Sequence, residues 1–221
     1  MKQQLSLLAI IIFSAHVILA QPTYTTHQQF GERASLSVDW GDYDQDGDPD
    51  LAIGNVEGDF IYINNGDNGF TELELDDPHP TNFVKWIDID QDGDLDLFVG
   101  NNGENLNHVF INDGMGSLTK TTFLITHSIN DIAQGDFDND GDPDLMVVCY
   151  DEYNYILLND ANNTFEPDFN NLFEDETASV AVFDADNDGD QDMVLGSGSS
   201  DPGWVYKNDG SGLFTLYSEF G

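Results

Sequence analysis

The chain of 221 residues has a single cysteine, Cys149, so no disulfide can form within it. A packed core or a bound ion must do that stapling instead. Cys149 closes the apolar run 145–149 and reads as a small buried hydrophobe rather than a reactive thiol. Basic side chains are nearly as scarce. Five Lys and Arg stand against 43 Asp and Glu, a formal charge of −38 at pH 7. Nucleic acid and anionic lipid surfaces would be repelled, so neither is expected as a partner. After residue 20 no apolar run approaches the roughly 20 residues needed to span a bilayer, so the mature chain should have no membrane span. Helical spacing of apolar residues is missing from the same region. Acid-rich composition often marks disorder. Here 12% aromatic residues and regular apolar alternation argue for a packed chain.

The first twenty residues are organised differently. Lys2 gives a short basic start, residues 5–13 are apolar apart from Ser6, and Ala20 is a small residue suited to cleavage. The apolar stretch is short for a transmembrane helix and is followed by His16. Residues 1–20 are therefore read as a signal peptide, with a mature region of 21–221 that is secreted, extracellular or on the cell surface.

Most of what remains is repetition. Residues 42–50 place aspartate at Asp42, Asp44, Asp46, Asp48 and Asp50, with Gly47 at position 6. Residues 88–96 do the same with Asp88, Asp90, Asp92, Asp94 and Asp96. Residues 136–144 carry Asp136, Asp138, Asp140, Asp142 and Asp144, and residues 184–192 carry Asp184, Asp186, Asp188, Asp190 and Asp192. Each copy fits D-x-D-x-D-G-x-x-D. Alternating carboxylates before a sharply turning glycine suit a hard cation that takes oxygen ligands, above all Ca2+. Side chains at positions 1, 3, 5 and 9 can converge on one ion. The position-7 aspartates (Asp48, Asp94, Asp142 and Asp190) are candidates through their backbone carbonyls. About four ions are expected, one per loop. Zinc and copper would want His or Cys, which the loops lack. An EF-hand needs a carboxylate at position 12, where this chain has Ile53, Val99, Val147 and Leu195. That rejects the helix-pair reading.

The loops recur at intervals of 46, 48 and 48 residues. A short alternating strand precedes each one: Val38 and Trp40, Val84 and Trp86, Ile132, Val180 and Val182. An apolar strand follows at 51–53, 97–99, 145–148 and 193–195, then a variable connection and a third strand at 60–63, 108–111, 155–158 and 204–207. Tight turns begin at Asn64, Asn112, Asn159 and Asn208. Phe70, Leu118, Phe165 and Phe214, six residues on, open a fourth strand. Four short antiparallel strands per repeat predict an all-β protein of propeller blades. A β-sandwich would not explain the strict period. Four repeats make either a closed four-blade ring or part of a larger propeller. Residues 24–31 match the phase of 214–221, which favours a longer array or assembly with a second chain over ring closure by the amino-terminal strand.

These loops, set between two short strands at this period, resemble the FG-GAP and VCBS repeats of integrin α heads and secreted bacterial proteins. The bacterial type is the better match, through Asp-Gly-Asp-Pro-Asp-Leu in two loops and the Asn-Asp-Gly turns. The resemblance covers residues 24–221. It implies a β-propeller whose aspartates bind calcium on one side. Propellers of this family often have seven or eight blades, so four departs from the pattern.

Calcium in such loops reads as mainly structural, which leaves function to the connections that differ: 101–107, 150–153 and 197–203, with Trp204 beside the last. The expected function is extracellular binding or adhesion, with a glycan or a protein as ligand. A polysaccharide lyase or hydrolase is the rival, and a passive spacer a third reading. A lyase needs a base and a cation near the substrate carboxylate. Arg33, Lys85, Lys120 and Lys207 are scattered over different repeats, His27, His79, His108 and His127 suggest no shared spacing, and no nucleophile motif is present. The chain is therefore expected not to be an enzyme.

Overall fold

A computed structural model of the chain describes residues 33–220 apart from 67–68, 104–105, 124, 151–152, 161–163, 174–176 and 199–201, with residues 169–172 described by backbone alone. The expected leader, 1–20, and the strand expected at 24–31 lie outside the described residues.

Sixteen strands form four antiparallel four-stranded sheets, each built from four consecutive strands. Blade 1 comprises β1 (Ser35–Gly41), β2 (Asp50–Asn55), β3 (Phe60–Asn64) and β4 (Phe70–Glu74). Blade 2 comprises β5 (Thr81–Ile87), β6 (Asp96–Asn101), β7 (His108–Asn112) and β8 (Leu118–Thr122). Blade 3 runs through β9 (Ile129–Gly135), β10 (Asp144–Cys149), β11 (Asn154–Asn159) and β12 (Phe165–Phe173). Blade 4 runs through β13 (Thr177–Phe183), β14 (Asp192–Ser197), β15 (Gly203–Asn208) and β16 (Phe214–Phe220).

The composition of each strand follows its place in the stack. The second strand of an inner blade has neighbours on both edges and blades on both faces, so it reads as a continuous apolar run rather than an alternation. All six residues of β2, β6 and β10 are buried. Three apolar clusters fill the three junctions between successive blades. Tyr43, Ala52, Ile61 and Leu75 of the first repeat meet Val84, Trp86, Leu97, Val99 and Phe110 of the second. Phe98, Val109 and Phe123 face Ile132, Leu145 and Leu157 across the next junction, with Cys149 buried among them. Met146, Ile156 and Phe173 face Met193, Leu195 and Trp204 across the last.

The first strands line up in the order β1, β5, β9, β13, each packed on the next. No ring closes among the described residues, since no packing of that extent joins β13 to β1. The two end blades show the consequence. Val38 and Trp40 are 56% and 53% exposed, whereas Val84 and Trp86 at the same positions of blade 2 are buried against blade 1. At the other end Phe183 is exposed where Gly41 and Gly135 meet the side chains of a following blade.

Strand direction sorts the connections onto two faces. The aspartate loops and the Asn turns share one. The β2–β3, β6–β7, β10–β11 and β14–β15 connections share the other with the blade-to-blade crossovers.

Candidate metal sites in the repeated loops

Each loop begins where a first strand ends and closes on the first residue of a second strand. Two backbone positions bend it. Gln45, Gln91, Asn139 and Asn187 at position 4 have φ of 57–63°, and the position-6 glycines have φ of 94–102°. The glycine conformation was foreseeable. A left-handed glutamine was not, because Gln is an ordinary residue forced there by the curl of the loop. Two of these side chains reach the next blade. Gln45 donates to the Gly93 carbonyl and to Asp94, and Asn139 donates to Asp190 and to the Gly210 carbonyl.

Positions 1, 3 and 9 converge in all four loops. Oxygens of Asp42, Asp44 and Asp50 lie within 4.8 Å of one another, as do those of Asp88, Asp90 and Asp96, of Asp136, Asp138 and Asp144, and of Asp184, Asp186 and Asp192. The position-9 carboxylate is fully buried and works with both oxygens. One oxygen accepts the position-2 N–H, from Tyr43, Ile89, Phe137 or Ala185, at 2.7–3.0 Å. The other accepts the N–H of the turn asparagine, Asn64, Asn112, Asn159 or Asn208, at 2.7–2.9 Å. This aspartate therefore ties the loop to the third strand as well as facing the cluster.

Position 1 is different. Asp42, Asp88 and Asp184 give Oδ2 to the loop glycine N–H at 3.1–3.2 Å. Oδ1 of Asp42, Asp88 and Asp136 is buried with no hydrogen-bond partner among the described residues. A buried carboxylate oxygen left unpaired is costly, and a cation would satisfy it. The three convergent carboxylates and this orphaned oxygen fit a calcium ion, with backbone carbonyl and water completing the six to eight oxygens it takes.

Positions 5 and 7 lie outside the convergent trios. Asp46, Asp92, Asp140 and Asp188 accept the position-7 N–H at 2.9–3.0 Å, bracing the turn. The carboxylates of Asp48 and Asp190 lie over the glycines of the Asn turns: a Cβ added to Gly66 or Gly210 would meet them at 2.8 and 2.6 Å. Asp94 lies likewise over Gly114.

Electrostatics bear the marks of crowding. Burial pushes the carboxyls of Asp96 and Asp144 up to about 6, opposed by the two N–H bonds each accepts and assisted by the neighbouring loop carboxylates. Asp50, Asp90 and Asp138 are raised for the same leading reason. The fourth loop departs from the others. Asp184 is exposed, and the Lys207 ammonium bonds to Asp186, holding that carboxyl below the usual range. A lysine thus occupies one of the fourth site's candidate ligands.

The FG-GAP-like repeat profile matches residues 42–99, 88–147 and 136–195, in phase with the first three loops and across more than half of the chain. The chain belongs to the FG-GAP-like repeat family. Among curated proteins none matches it by sequence. Solved structures resemble this FG-GAP-like chain in fold. The BBS1N domain, from a complex with ARL6DN, superposes with a TM-score of 0.57 at 10% identity, over 89% of this chain and 56% of that one. A lectin of Agrocybe aegerita, described as recognising non-reducing terminal N-acetylglucosamine, superposes with a TM-score of 0.54 at 17% identity, over 84% of this chain and 52% of that one. The FG-GAP-like chain spans about half the length of these structures.

One group escaped the sequence reading. Asp77, His79 and His108 bring ligand atoms within 4.8 Å of one another on the opposite face. His79 and His127 in fact stand one 48-residue repeat apart, a spacing that a search for catalytic constellations passes over.

Proposed function

We propose that this FG-GAP-like chain is a secreted, calcium-stabilised binding module, with one ion per aspartate loop and a glycan or protein ligand on the face opposite the loops. The observation that carries the metal half is the buried, unpartnered Oδ1 at position 1 of three loops, on a carboxylate that converges with those of positions 3 and 9. Crowded carboxylates of this kind repel by roughly 1 kcal/mol per pair at 4 Å in water and about 4 at an effective dielectric of 20, which a divalent ion reverses. Support for the binding half comes from the fold, which this chain shares with a sugar-recognising lectin and with a domain crystallised in a protein complex. The opposite face offers the connections that differ between repeats, and variable loops on a rigid scaffold are where recognition usually lies. The role is non-catalytic in this reading.

Isothermal titration of calcium into chelator-treated protein tests the metal half. Up to four equivalents are expected, with magnesium binding more weakly because it demands a stricter octahedron. Heat of binding no greater than for a scrambled acidic peptide would sink it. A glycan array probed with calcium and with chelator tests the ligand half. Reproducible calcium-dependent spots support the module, and turnover of any polysaccharide would replace it with an enzyme.

A further inference from the structure

We propose that Asp77, His79 and His108 form a second kind of metal site, for a borderline divalent ion such as Zn2+, on the face opposite the aspartate loops. Asp77 and His79 lie in the crossover from blade 1 to blade 2, and His108 opens β7. Asp77 Oδ1 is hydrogen-bonded to His79 Nδ1 at 2.9 Å, and Asp77 Oδ2 is 3.6 Å from His108 Nε2. Zinc at about 2.0–2.1 Å from tetrahedral ligands sets those ligand atoms about 3.4 Å apart, and one ligand atom from each of the three residues lies within 4.8 Å of the others, close enough for small side-chain shifts to reach that spacing. Two imidazoles and one carboxylate are also the donor set that zinc prefers and calcium does not.

The cluster is built rather than incidental. Asp77 is 1% exposed and His108 5%. The carboxylate is oriented by the His79 backbone N–H at 3.2 Å and by Asn101 Nδ2 at 3.1 Å, and Asn101 accepts from the Thr81 hydroxyl, which also reaches the buried Asp59. Such outer contacts are how metal ligands are usually held in place. His108 completes the geometry. Its Nε2 faces Asp77 but lies too far from it for a hydrogen bond. With the proton on Nδ1, the Nε2 lone pair faces a carboxylate. A cation between Nε2 and Asp77 pairs that lone pair with the carboxylate.

The next junction is an internal control. One repeat on, the Asp77 and His79 positions are Ile125 and His127, and the strand position of His108 is Tyr155. There His127 stacks on Tyr155, with ring centroids 6.5 Å apart, and the three positions hold no second ligand set. Lys120 is the competitor: its ammonium is 3.9 Å from Asp77 Oδ2 and donates to the Asp76 carbonyl. It balances the carboxylate in the metal-free protein, and 28% of its side chain is exposed, so it can swing out.

The test uses the full chain saturated with calcium, so that the aspartate loops are filled, and adds zinc alone or cobalt alone as probe. One calcium-resistant equivalent of zinc is expected. It should weaken by more than about 100-fold in His79→Ala, beyond the loss that removing an outer-sphere contact causes. It should be unchanged in His127→Ala and should tighten several-fold in Lys120→Gln. His79 is partly exposed, and the zinc-free melt of His79→Ala confirms that the variant folds. Should that melt collapse, the intense visible absorption of four-coordinate cobalt in the wild-type protein decides instead. No calcium-resistant equivalent, an equivalent retained in His79→Ala, or only the weak spectrum of six-coordinate cobalt overturns the site.

Discussion

The two faces of the blades obey different rules. On the loop face the same carboxylates, the same buried position-9 clip and the same turn asparagine recur in every repeat. On the other face a buried acceptor at the entry to the third strand recurs at Asp59, Asn107 and Asn154, but the crossovers are furnished once: Asp77 with two histidines at the first, a histidine–tyrosine stack at the second. Repetition on one side and singularity on the other is what a scaffold divided between stability and recognition should display. The loop face holds each blade's first three strands together, so every repeat needs the same residues there. The opposite face connects strands that are already paired, so its side chains are free to differ.

The largest effect that would expose this division is removal of calcium. With free ion about 100-fold above the dissociation constant, each independent site contributes about 2.7 kcal/mol. Four such sites would equal much of the 5–15 kcal/mol that holds a typical domain together. Chelation should therefore lower the melting temperature by more than about 20 °C in a chain of this size. A melt that moved by a degree or two would mean that the carboxylates are solvated turns and that the faces do not differ in kind.

Within a loop, positions 9 and 3 separate clip from ligand. Asp144→Ala strands the Phe137 and Asn159 N–H groups and should cost about 3 kcal/mol even in chelator, besides losing one calcium equivalent. Asp138→Ala should lose that equivalent and leave the chelated melt almost unchanged. Asp136→Ala, which removes the orphaned oxygen, should likewise cost one equivalent and spare the other three. Loss of all four equivalents from any one substitution would show that the blades do not bind independently.

Much of this face was legible from residues alone. The loops, all four turn asparagines and the openings of β4, β8, β12 and β16 at Phe70, Leu118, Phe165 and Phe214 were fixed by local chemistry that repeats, and repetition averages out ambiguity. Illegible was the division of labour among the five aspartates, since nothing in D-x-D-x-D-G-x-x-D says that position 7 turns towards the hairpin glycine while position 9 bonds two amides. Left-handed Gln45 was equally hidden. The opposite face was hidden for a different reason. Asp77, His79 and His108 meet only because blade 1 stacks on blade 2, and a contact made once leaves no period in the sequence.

Proton linkage gives a smaller but directional test. Asp96 and Asp144 are raised by burial to about 6 in the folded protein, above the 3.8 of an ordinary aspartate. The folded state thus holds these protons longer than the unfolded chain. Their contribution to stability is complete below about pH 4 and is lost as pH rises through 6. Chelated protein should melt at progressively lower temperature across that window. Calcium needs the ionised form, so its affinity should rise over the same range, and the calcium-loaded melt should climb where the chelated one falls. Parallel slopes would place the raised groups away from the ion.

The smallest expected effect lies where the loop face stops repeating. In the fourth loop the Lys207 ammonium bonds to Asp186 and also sits 4.0 Å over the Tyr217 ring, so an entering ion must displace a cation that loops one to three do not meet at this position. Asp184 and Asp186 are exposed, which weakens electrostatic attraction for the ion further. The fourth site should be the weakest of the four in a calcium isotherm, and Lys207→Gln should tighten it by a few-fold rather than by orders of magnitude, because an exposed ion pair is screened and worth little. The other three sites should not respond. If Lys207→Gln weakened the fourth site instead, the lysine would be holding Asp186 in its binding geometry, and the loop face would carry an individual adaptation of the kind otherwise confined to the opposite side.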